Sequence, residues 1–203
     1  DSIQIEKDGT FLVFNKIEHG RLNQDGKLII KDTDGNYILA DERFDWQYDF
    51  DSNGYSRICK THEYGRKEFG TINSQGQFVI QSKSENGKPN HIIPDGFDWA
   101  YYCSEDTFIG VRNEKKGVFG YDGTEIIPSE YDDIKCEDDI YIVRKDYQAS
   151  VLSGTGEVIL PLTFSSIEVI TDPYSNIKYY KCNICGKFGL YSLDGSELIP
   201  VNY

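Results

Sequence analysis

The acidic hexapeptide "DFDSNG", residues 49–54, has residue types and a spacing that suit a metal site. Asp49, Asp51 and Asn53 alternate before a glycine, as oxygen ligands do at the opening of a calcium loop. The ninth and twelfth loop positions, however, carry an arginine and a lysine instead of oxygen ligands. The segment is therefore either a weak calcium site or a solvated acidic turn, and no other cofactor is expected.

Two tryptophans stand at equivalent places in the related segments "FDWQY" and "FDWAYY". Trp46 is followed by Tyr48, and Trp99 by Tyr101 and Tyr102. Aromatic platforms of this kind stack on sugars or anchor a partner protein. The alternative, which we favour, is that these side chains fill the core between packed sheets.

Carboxylates form the third set of chemistry-bearing side chains: Asp132, Asp133, Asp138 and Asp139 lie close together in sequence. The whole chain has 34 acidic and 21 basic residues, a net charge of −13. A face that collects these carboxylates would attract a basic partner protein, although the same charges also suit an ordinary soluble surface. Such a charge opposes binding to nucleic acid, because phosphates are repelled. The absence of an 18-residue apolar run argues against membrane insertion.

Cysteine usage points weakly to a compartment. The odd, unevenly spaced set is a poor disulfide framework, so we expect unpaired thiols and a reducing compartment such as the cytoplasm, with a secreted form left open. The segment "CNIC", residues 182–185, has metal or redox spacing, but no further ligands stand nearby, so we expect ordinary packing. The five residues are Cys59, Cys103, Cys136, Cys182 and Cys185.

An internal repeat in the sequence predicts the strands that hold these residues in place. "KKGVFGYDGTEIIPSEYDDI" at 115–134 and "KFGLYSLDGSELIPVNY" at 187–203 share the spacing of glycine, Asp-Gly, Ile-Pro and tyrosine. Asp-Gly supplies the positive φ of a tight hairpin, and Pro128, which cannot donate to a ladder, is expected to end a strand. "DIKCE" and "IYIVRK" then supply two further strands. Each unit is predicted to be a meander of four antiparallel strands, without helical periodicity.

The repeat predicts a single all-β domain over residues 1–203 with five units. The N-terminal "DSI" resembles the "DDI" that would continue the last motif, so the two chain ends are expected to complete one unit. We predict a closed five-bladed propeller-like ring whose N- and C-termini share one blade, because closure removes exposed sheet edges. An open β-solenoid, or a fragment of a longer array, is the alternative. The units span about 17–66, 67–114, 115–146 and 147–185, with a split unit of 186–203 plus 1–16.

The pattern "KxGxxxxDGxxIIPxxYDxI" resembles the WG-repeat family, a bacterial tandem repeat named for a Trp-Gly pair. The resemblance covers nearly the whole chain and is strongest at 115–134 and 187–203. It implies an all-β repeat array that serves as a non-catalytic interaction module, without catalytic residues. The chain departs from the family at the name-giving tryptophan. The pair is replaced by His19-Gly20, Phe69-Gly70, Lys116-Gly117, Ala149-Ser150 and Phe188-Gly189.

These features predict a non-catalytic protein-binding module and not an enzyme. A specific version is an acidic immunity or inhibitor protein that masks a basic toxin or enzyme. The alternative is a carbohydrate-binding or glycan-processing propeller that uses Trp46, Trp99 and nearby aspartates. No feature of the sequence indicates the oligomeric state.

Overall fold

Antiparallel β-sheets make up the protein. The structure, a computed structural model, describes residues 2–14, 19–81 and 90–203. The chain forms two compact units, Asp1–Asp95 and Gly96–Tyr203. The predicted all-β class is confirmed, and part of the insertion at 81–91 lies outside the described residues, namely 82–89.

The first unit contains two larger sheets and one short ladder. Sheet 1 has the order β1-β2-β3-β4-β5, with strands Ser2–Ile5, Phe11–Phe14, His19–Leu22, Leu28–Lys31 and Tyr37–Leu39. Sheet 2 has the order β6-β7-β8, with strands Trp46–Gln47, Tyr55–Thr61 and Lys67–Asn73. A 3-10 turn at Glu63–Gly65 joins the last two strands. The ladder pairs β9, Val79–Ile80, with β10, His91–Ile92.

The second unit contains three four-stranded meanders, as predicted for the repeat. Sheet 3 comprises β11 to β14, at Trp99–Tyr102, Thr107–Arg112, Lys115–Gly120 and Glu125–Tyr131. Sheet 4 comprises β15 to β18, at Asp133–Glu137, Ile140–Lys145, Gln148–Ser153 and Val158–Phe164. Sheet 5 comprises β19 to β22, at Ser166–Thr171, Lys178–Ile184, Lys187–Tyr191 and Glu197–Ile199.

The glycine turns adopt one geometry throughout the chain. In the turn after β13, the Gly123 amide donates to the Gly120 carbonyl at 2.9 Å, and the Gly120 amide donates to the Thr124 carbonyl at 2.8 Å. Gly123 has a φ of +90°, which a glycine adopts without steric cost. The same pair of bonds recurs around Gly156 and Gly195. The predicted hairpin role of the Asp-Gly turns is therefore confirmed.

A bulge in sheet 3 leaves no room for a side chain at Gly117, six residues before the turn glycine Gly123. A Cβ atom at Gly117 would lie 2.6 Å from the carbonyl oxygen of Ile127 and 2.8 Å from the amide nitrogen of Ser129. The pairing of β13 with β14 shifts register at this point, between Lys116 and Val118. Because the bulge leaves the proline outside the regular ladder, β14 continues through Pro128. The expectation that Pro128 ends its strand is therefore wrong.

The core of the second unit lies between successive sheets. Sheets 3 and 4 bury one cluster, and sheets 4 and 5 bury a second. Alternate residues of β16 serve the two clusters, since Val143 faces the first and Ile142 faces the second. Each sheet is thus apolar on the faces that it stacks, which fits the short, uninterrupted apolar runs of the sequence.

The boundaries of the sheets differ from those of the sequence units. Strands β1 and β2 pair with each other and continue into β3, whereas β21 and β22 continue from β20. The expectation that the two chain ends complete one unit stays a prediction. Pairing β2 with the adjacent β3 closes a short loop and costs little chain entropy, which favours the local partner. Closure of the sheets into a ring stays a prediction.

Candidate functional site

Trp46 lies in a cleft of about 390 Å³ formed by strands and loops of sheets 1 and 2. Its indole covers Gly20 so closely that a Cβ atom at this glycine would lie 2.3 Å from two ring carbons. The segment after β6 is fixed to sheet 1, because the Phe50 amide donates to the Lys31 carbonyl at 2.9 Å. The volume falls in the range of small-ligand sites.

Two cations and an aromatic ring form one wall of this cleft. The guanidinium carbon of Arg21 lies 4.9 Å from the centre of the Tyr37 ring, and Lys31 Nζ lies 5.5 Å from the same point. Arg21 Nη1 also donates to Thr10 Oγ1 at 2.8 Å and lies 3.4 Å from Asp8 Oδ2. Tyr37 is on the short strand β5, which the insertion after Lys31 adds to sheet 1. Sequence reasoning did not single out these three side chains.

Polar groups of strand β6 and of the segment that follows it complete the lining of the cleft. Gln47 is buried, and its Oε1 accepts a hydrogen bond from the Asp41 amide at 2.7 Å. Tyr48 also lines the cleft, and its carbonyl oxygen accepts from Ser56 Oγ at 2.5 Å. Asp49 is exposed at the rim. The cleft therefore offers aromatic faces, two cations and a carboxylate acceptor.

Two of the three calcium candidates, Asp49 and Asp51, accept hydrogen bonds from backbone amides. Asp49 Oδ1 accepts a hydrogen bond from the Lys31 amide at 2.8 Å. Asp51 Oδ1 accepts from the amides of Asn53, at 2.8 Å, and Tyr55, at 3.0 Å. The two carboxylates thus bind amides of different strands, which matches the acidic-turn interpretation. Within residues 2–14, 19–81 and 90–203, no three His, Cys, Asp or Glu side chains cluster as metal ligands would.

The second aromatic group belongs to the core of the other unit. Trp99 is 4% exposed and pairs with Val111 across β11 and β12. Tyr101 packs against the cluster between sheets 3 and 4, with Lys116 Nζ 5.3 Å from its ring centre. The Tyr102 hydroxyl donates to Glu105 Oε1 at 3.1 Å. Of the two predicted platforms, the one at Trp99 is therefore a packing element.

Lysines accompany most of the predicted acidic face. Lys115 Nζ donates to Asp132 at 2.5 Å, Lys116 Nζ donates to Asp133 at 2.6 Å, and Lys178 forms an ion pair with Asp138. The Lys115 hydrogen bond holds the pKa of Asp132 below its ordinary value of 3.8. Asp139 is exposed. The paired lysines offset the charge of these carboxylates, and exposed pairs of this kind add little stability.

The cysteines correct one expectation. Cys103 and Cys136 form a disulfide, with Cα atoms 5.7 Å apart and a sequence separation of 33. The prediction of unpaired thiols is therefore wrong for these two residues. Cys182 is buried in the core between sheets 4 and 5, where burial raises its pKa to about 12. Cys185 lies exposed in the next turn. The two cysteines of "CNIC" thus have opposite environments, and packing explains Cys182.

Sequence reasoning missed two tyrosines at hairpin turns. Tyr147 is 92% exposed with a φ of +65°, and Tyr64 is fully exposed with a φ of +62°. Each stands between the second and third strands of its sheet, sheet 4 for Tyr147 and sheet 2 for Tyr64. Left-handed backbone favours glycine, so no propensity rule would place tyrosine there. The two-residue spacing between "IYIVRK" and "QASVLS" was the available signal for the turn type.

Comparison with known proteins gives little guidance. No family model and no curated protein matches the chain. The chain is similar to a solved structure from Agrobacterium tumefaciens that is assigned to TolB, at 14% sequence identity. The match covers 97% of this chain and 78% of that chain, with a TM-score of 0.36. A similarity at this level carries no argument about function. The WG-repeat resemblance stays a prediction.

Among the described residues, none belongs to a helix with the length and apolar character needed to cross a membrane.

Proposed function

We propose that the protein is a non-catalytic binding module that recognises another protein through tyrosines at its hairpin turns. The observation that carries this proposal is Tyr147, which is almost fully exposed in a left-handed conformation. Tyrosine in this conformation costs roughly 1–2 kcal/mol relative to the right-handed region. Its exposed ring gains no packing energy in return. A costly residue without a folding role is best explained by binding.

Tyr64 supports the same proposal from the equivalent turn of sheet 2. It has a similar φ and is fully exposed. Tyrosine supplies a large, rigid contact area at low conformational-entropy cost, and it is enriched among the residues that dominate binding energy. Each tyrosine is therefore a candidate binding anchor within its own unit.

A basic partner is the more specific version of this proposal. The net charge of −13 would attract such a partner and speed its capture. The lysines paired with Asp132, Asp133 and Asp138 would have to be displaced or bypassed by the partner's cations. An immunity or inhibitor role therefore rests on the net charge alone.

Differential capture from a lysate of the source organism tests the proposal. The immobilised protein, a Tyr64→Ser/Tyr147→Ser variant and a Tyr174→Ser control would be compared by quantitative mass spectrometry. Tyr174 is a suitable control because it is also exposed but does not have a positive φ. We expect a partner that is lost with the double variant and kept with the control. Titration calorimetry with the purified partner must reproduce the loss, and equal binding by all three proteins would overturn the proposal.

A carbohydrate-binding role is the second candidate, and the cleft at Trp46 favours it. The indole stands beside Tyr37 and Tyr48, and an exposed carboxylate of Asp49 lies within reach of the same space. Aromatic faces with a few polar groups are what ligand sites generally offer. Trp99 no longer supports this role, since it is buried.

Ring closure is a separate proposal about architecture. It is supported by the complementary sequences at the two chain ends, "NY" and "DSI", and by the recurrence of the meander. Spin labels at Ser2 and Asn202 test it through their distance distribution. A single short distance is expected for a ring, and a long or broad distribution would favour the open solenoid.

A further inference from the structure

The Trp46 cleft places two cations beside one aromatic ring in an otherwise acidic protein. Its charged lining consists of Arg21, Lys31 and Asp49, that is, two cations and one carboxylate. The chain as a whole has a net charge of −13. Arg21 Nη1 also lies 3.4 Å from Asp8 Oδ2, so Asp8 and Asp49 balance the two cations in number. The case for an anionic ligand therefore depends on the placement of both cations at the Tyr37 ring and not on a net positive charge.

We propose that this cleft binds a sugar that bears a carboxylate, namely a uronic-acid residue of an acidic oligosaccharide. The inference rests on the second candidate function and specifies its ligand. It is independent of the protein-binding role of Tyr64 and Tyr147, which lie in other parts of the fold.

Arg21 is held in place to receive the carboxylate. Its guanidinium is fixed by Thr10 Oγ1 at 2.8 Å and stacks near the Tyr37 ring. A fixed guanidinium loses little freedom on binding and presents a planar pair of donors that matches a carboxylate. Lys31, on the other side of the same ring, adds a second positive charge. The ligand carboxylate is therefore expected at the Tyr37 wall.

The remaining lining suits the neutral part of a sugar. The Trp46 ring is pinned over Gly20 and offers a flat apolar face for the C–H groups of a pyranose. Asp49 accepts from the Lys31 amide with one oxygen, Oδ1, and is exposed at the rim, where it can accept hydrogen bonds from hydroxyls. A carboxylate acceptor next to two cations fits a ligand that carries both hydroxyl donors and an anion.

An acidic peptide satisfies this arrangement less well. Its side chains would supply the anion but no hydroxyl donors for Asp49 and no ring to stack on Trp46. Binding of an acidic peptide in this cleft would therefore contradict the proposal.

Titration calorimetry with tetragalacturonate, its neutral methyl ester and hexaglutamate tests the inference at low ionic strength. We expect the acidic sugar to bind at least about tenfold more tightly than the ester, since one charge-assisted hydrogen bond is worth about that factor. Lys31→Gln and Arg21→Gln should each weaken tetragalacturonate binding and leave the ester unaffected. Trp46→Ala should weaken both sugars. Lys7→Gln, an exposed lysine outside the cleft, is the matched control.

Each outcome has a distinct meaning. Equal binding of acid and ester, lost with Trp46→Ala, would keep the carbohydrate role and overturn the preference for a carboxylate. Binding of hexaglutamate as tight as that of tetragalacturonate would overturn the sugar assignment. Failure of both sugars to bind would overturn the inference together with the carbohydrate role. None of these results bears on partner capture by Tyr64 and Tyr147, so the protein-binding proposal stands or falls separately.

Discussion

The disulfide between Cys103 and Cys136 joins equivalent positions of two successive sheets. Cys136 lies in the first strand of sheet 4, and Cys103 directly follows the first strand of sheet 3. Their separation of 33 residues equals the step from Gly117 to Ser150. The 33-residue step places the two cysteines at matching positions of adjacent sheets, where their Cα atoms lie 5.7 Å apart.

Removal of this bond should destabilise the second unit. For a closed loop of this size, chain entropy predicts a loss of about 3–4 kcal/mol in the free energy of unfolding. The Cys103→Ser/Cys136→Ser variant, measured by urea denaturation, checks the value. A Cys185→Ser variant is the control, since this exposed thiol is outside the bond. A double variant as stable as the control would show that packing alone holds sheets 3 and 4.

Gly117→Ala should destabilise the protein by about 2 kcal/mol or more, because the new methyl group meets backbone atoms that cannot move aside. At the equivalent position, Ser150 is buried and its Oγ donates to the Leu160 carbonyl at 2.6 Å. Sheet 4 thus tolerates a side chain where sheet 3 does not. Ser150→Ala should therefore cost only the buried hydrogen bond, about 1–2 kcal/mol. Thermal and urea unfolding would rank the two variants, and the reverse ranking would contradict the bulge explanation.

Tyr147→Gly should stabilise the protein by about 1 kcal/mol, since glycine adopts a φ of +65° without strain. The same change at Tyr174 should be neutral or destabilising, because that residue lacks a positive φ. Urea denaturation of the two variants provides the comparison. If Tyr147→Gly also abolishes partner capture, the strained tyrosine trades stability for binding.

Acid should destabilise the fold below about pH 4. Hydrogen bonds from turn residues lower the pKa of Asp122 and Asp194 below the ordinary 3.8, with Thr124 the main cause for Asp122 and Ser192 for Asp194. A carboxylate whose pKa is lower in the folded than in the unfolded protein stabilises the fold at pH values above its unfolded pKa. This contribution is lost as the pH falls through the folded pKa. The urea concentration at the midpoint of unfolding should therefore fall as the pH is lowered from about 5 to 2.

Asp122→Asn provides the control for this pH dependence. The amide oxygen can still accept from the Thr124 amide, as Asp122 Oδ1 does at 2.9 Å, but it does not titrate in this range. The variant should be somewhat less stable than the parent at neutral pH and lose less stability in acid, so that the two stability profiles converge at low pH. An unchanged acid profile would assign the effect to other carboxylates.

Local signals predicted the turns and strands of the second unit well. The Asp122-Gly123 turn and the strands at 133–137 and 140–145 follow from residues that are adjacent in sequence. The end of the strand at Pro128 was predicted wrongly, because a bulge lets the strand accommodate a residue without an amide hydrogen.

The candidate site was predicted only in part. Trp46, Tyr48 and Asp49 were found from their residue types, and all three line the cleft. Arg21 and Tyr37 were missed because one wall of the cleft depends on β5, a fifth strand that the four-stranded repeat does not predict. The disulfide was missed for a related reason, since spacing identifies equivalent positions but not the faces that meet.

Throughout the described strands, hydrogen-bonded neighbours in a sheet are also neighbours in sequence, from β1 with β2 to β21 with β22. This connectivity gives a low contact order within each sheet, so a sheet can form without waiting for distant parts of the chain. During synthesis, sheet 3 would be complete before sheet 4 has been translated, and it would offer a finished surface for the next sheet to pack on. The protein can thus assemble sequentially from its N-terminus, with few opportunities for mispairing between strands.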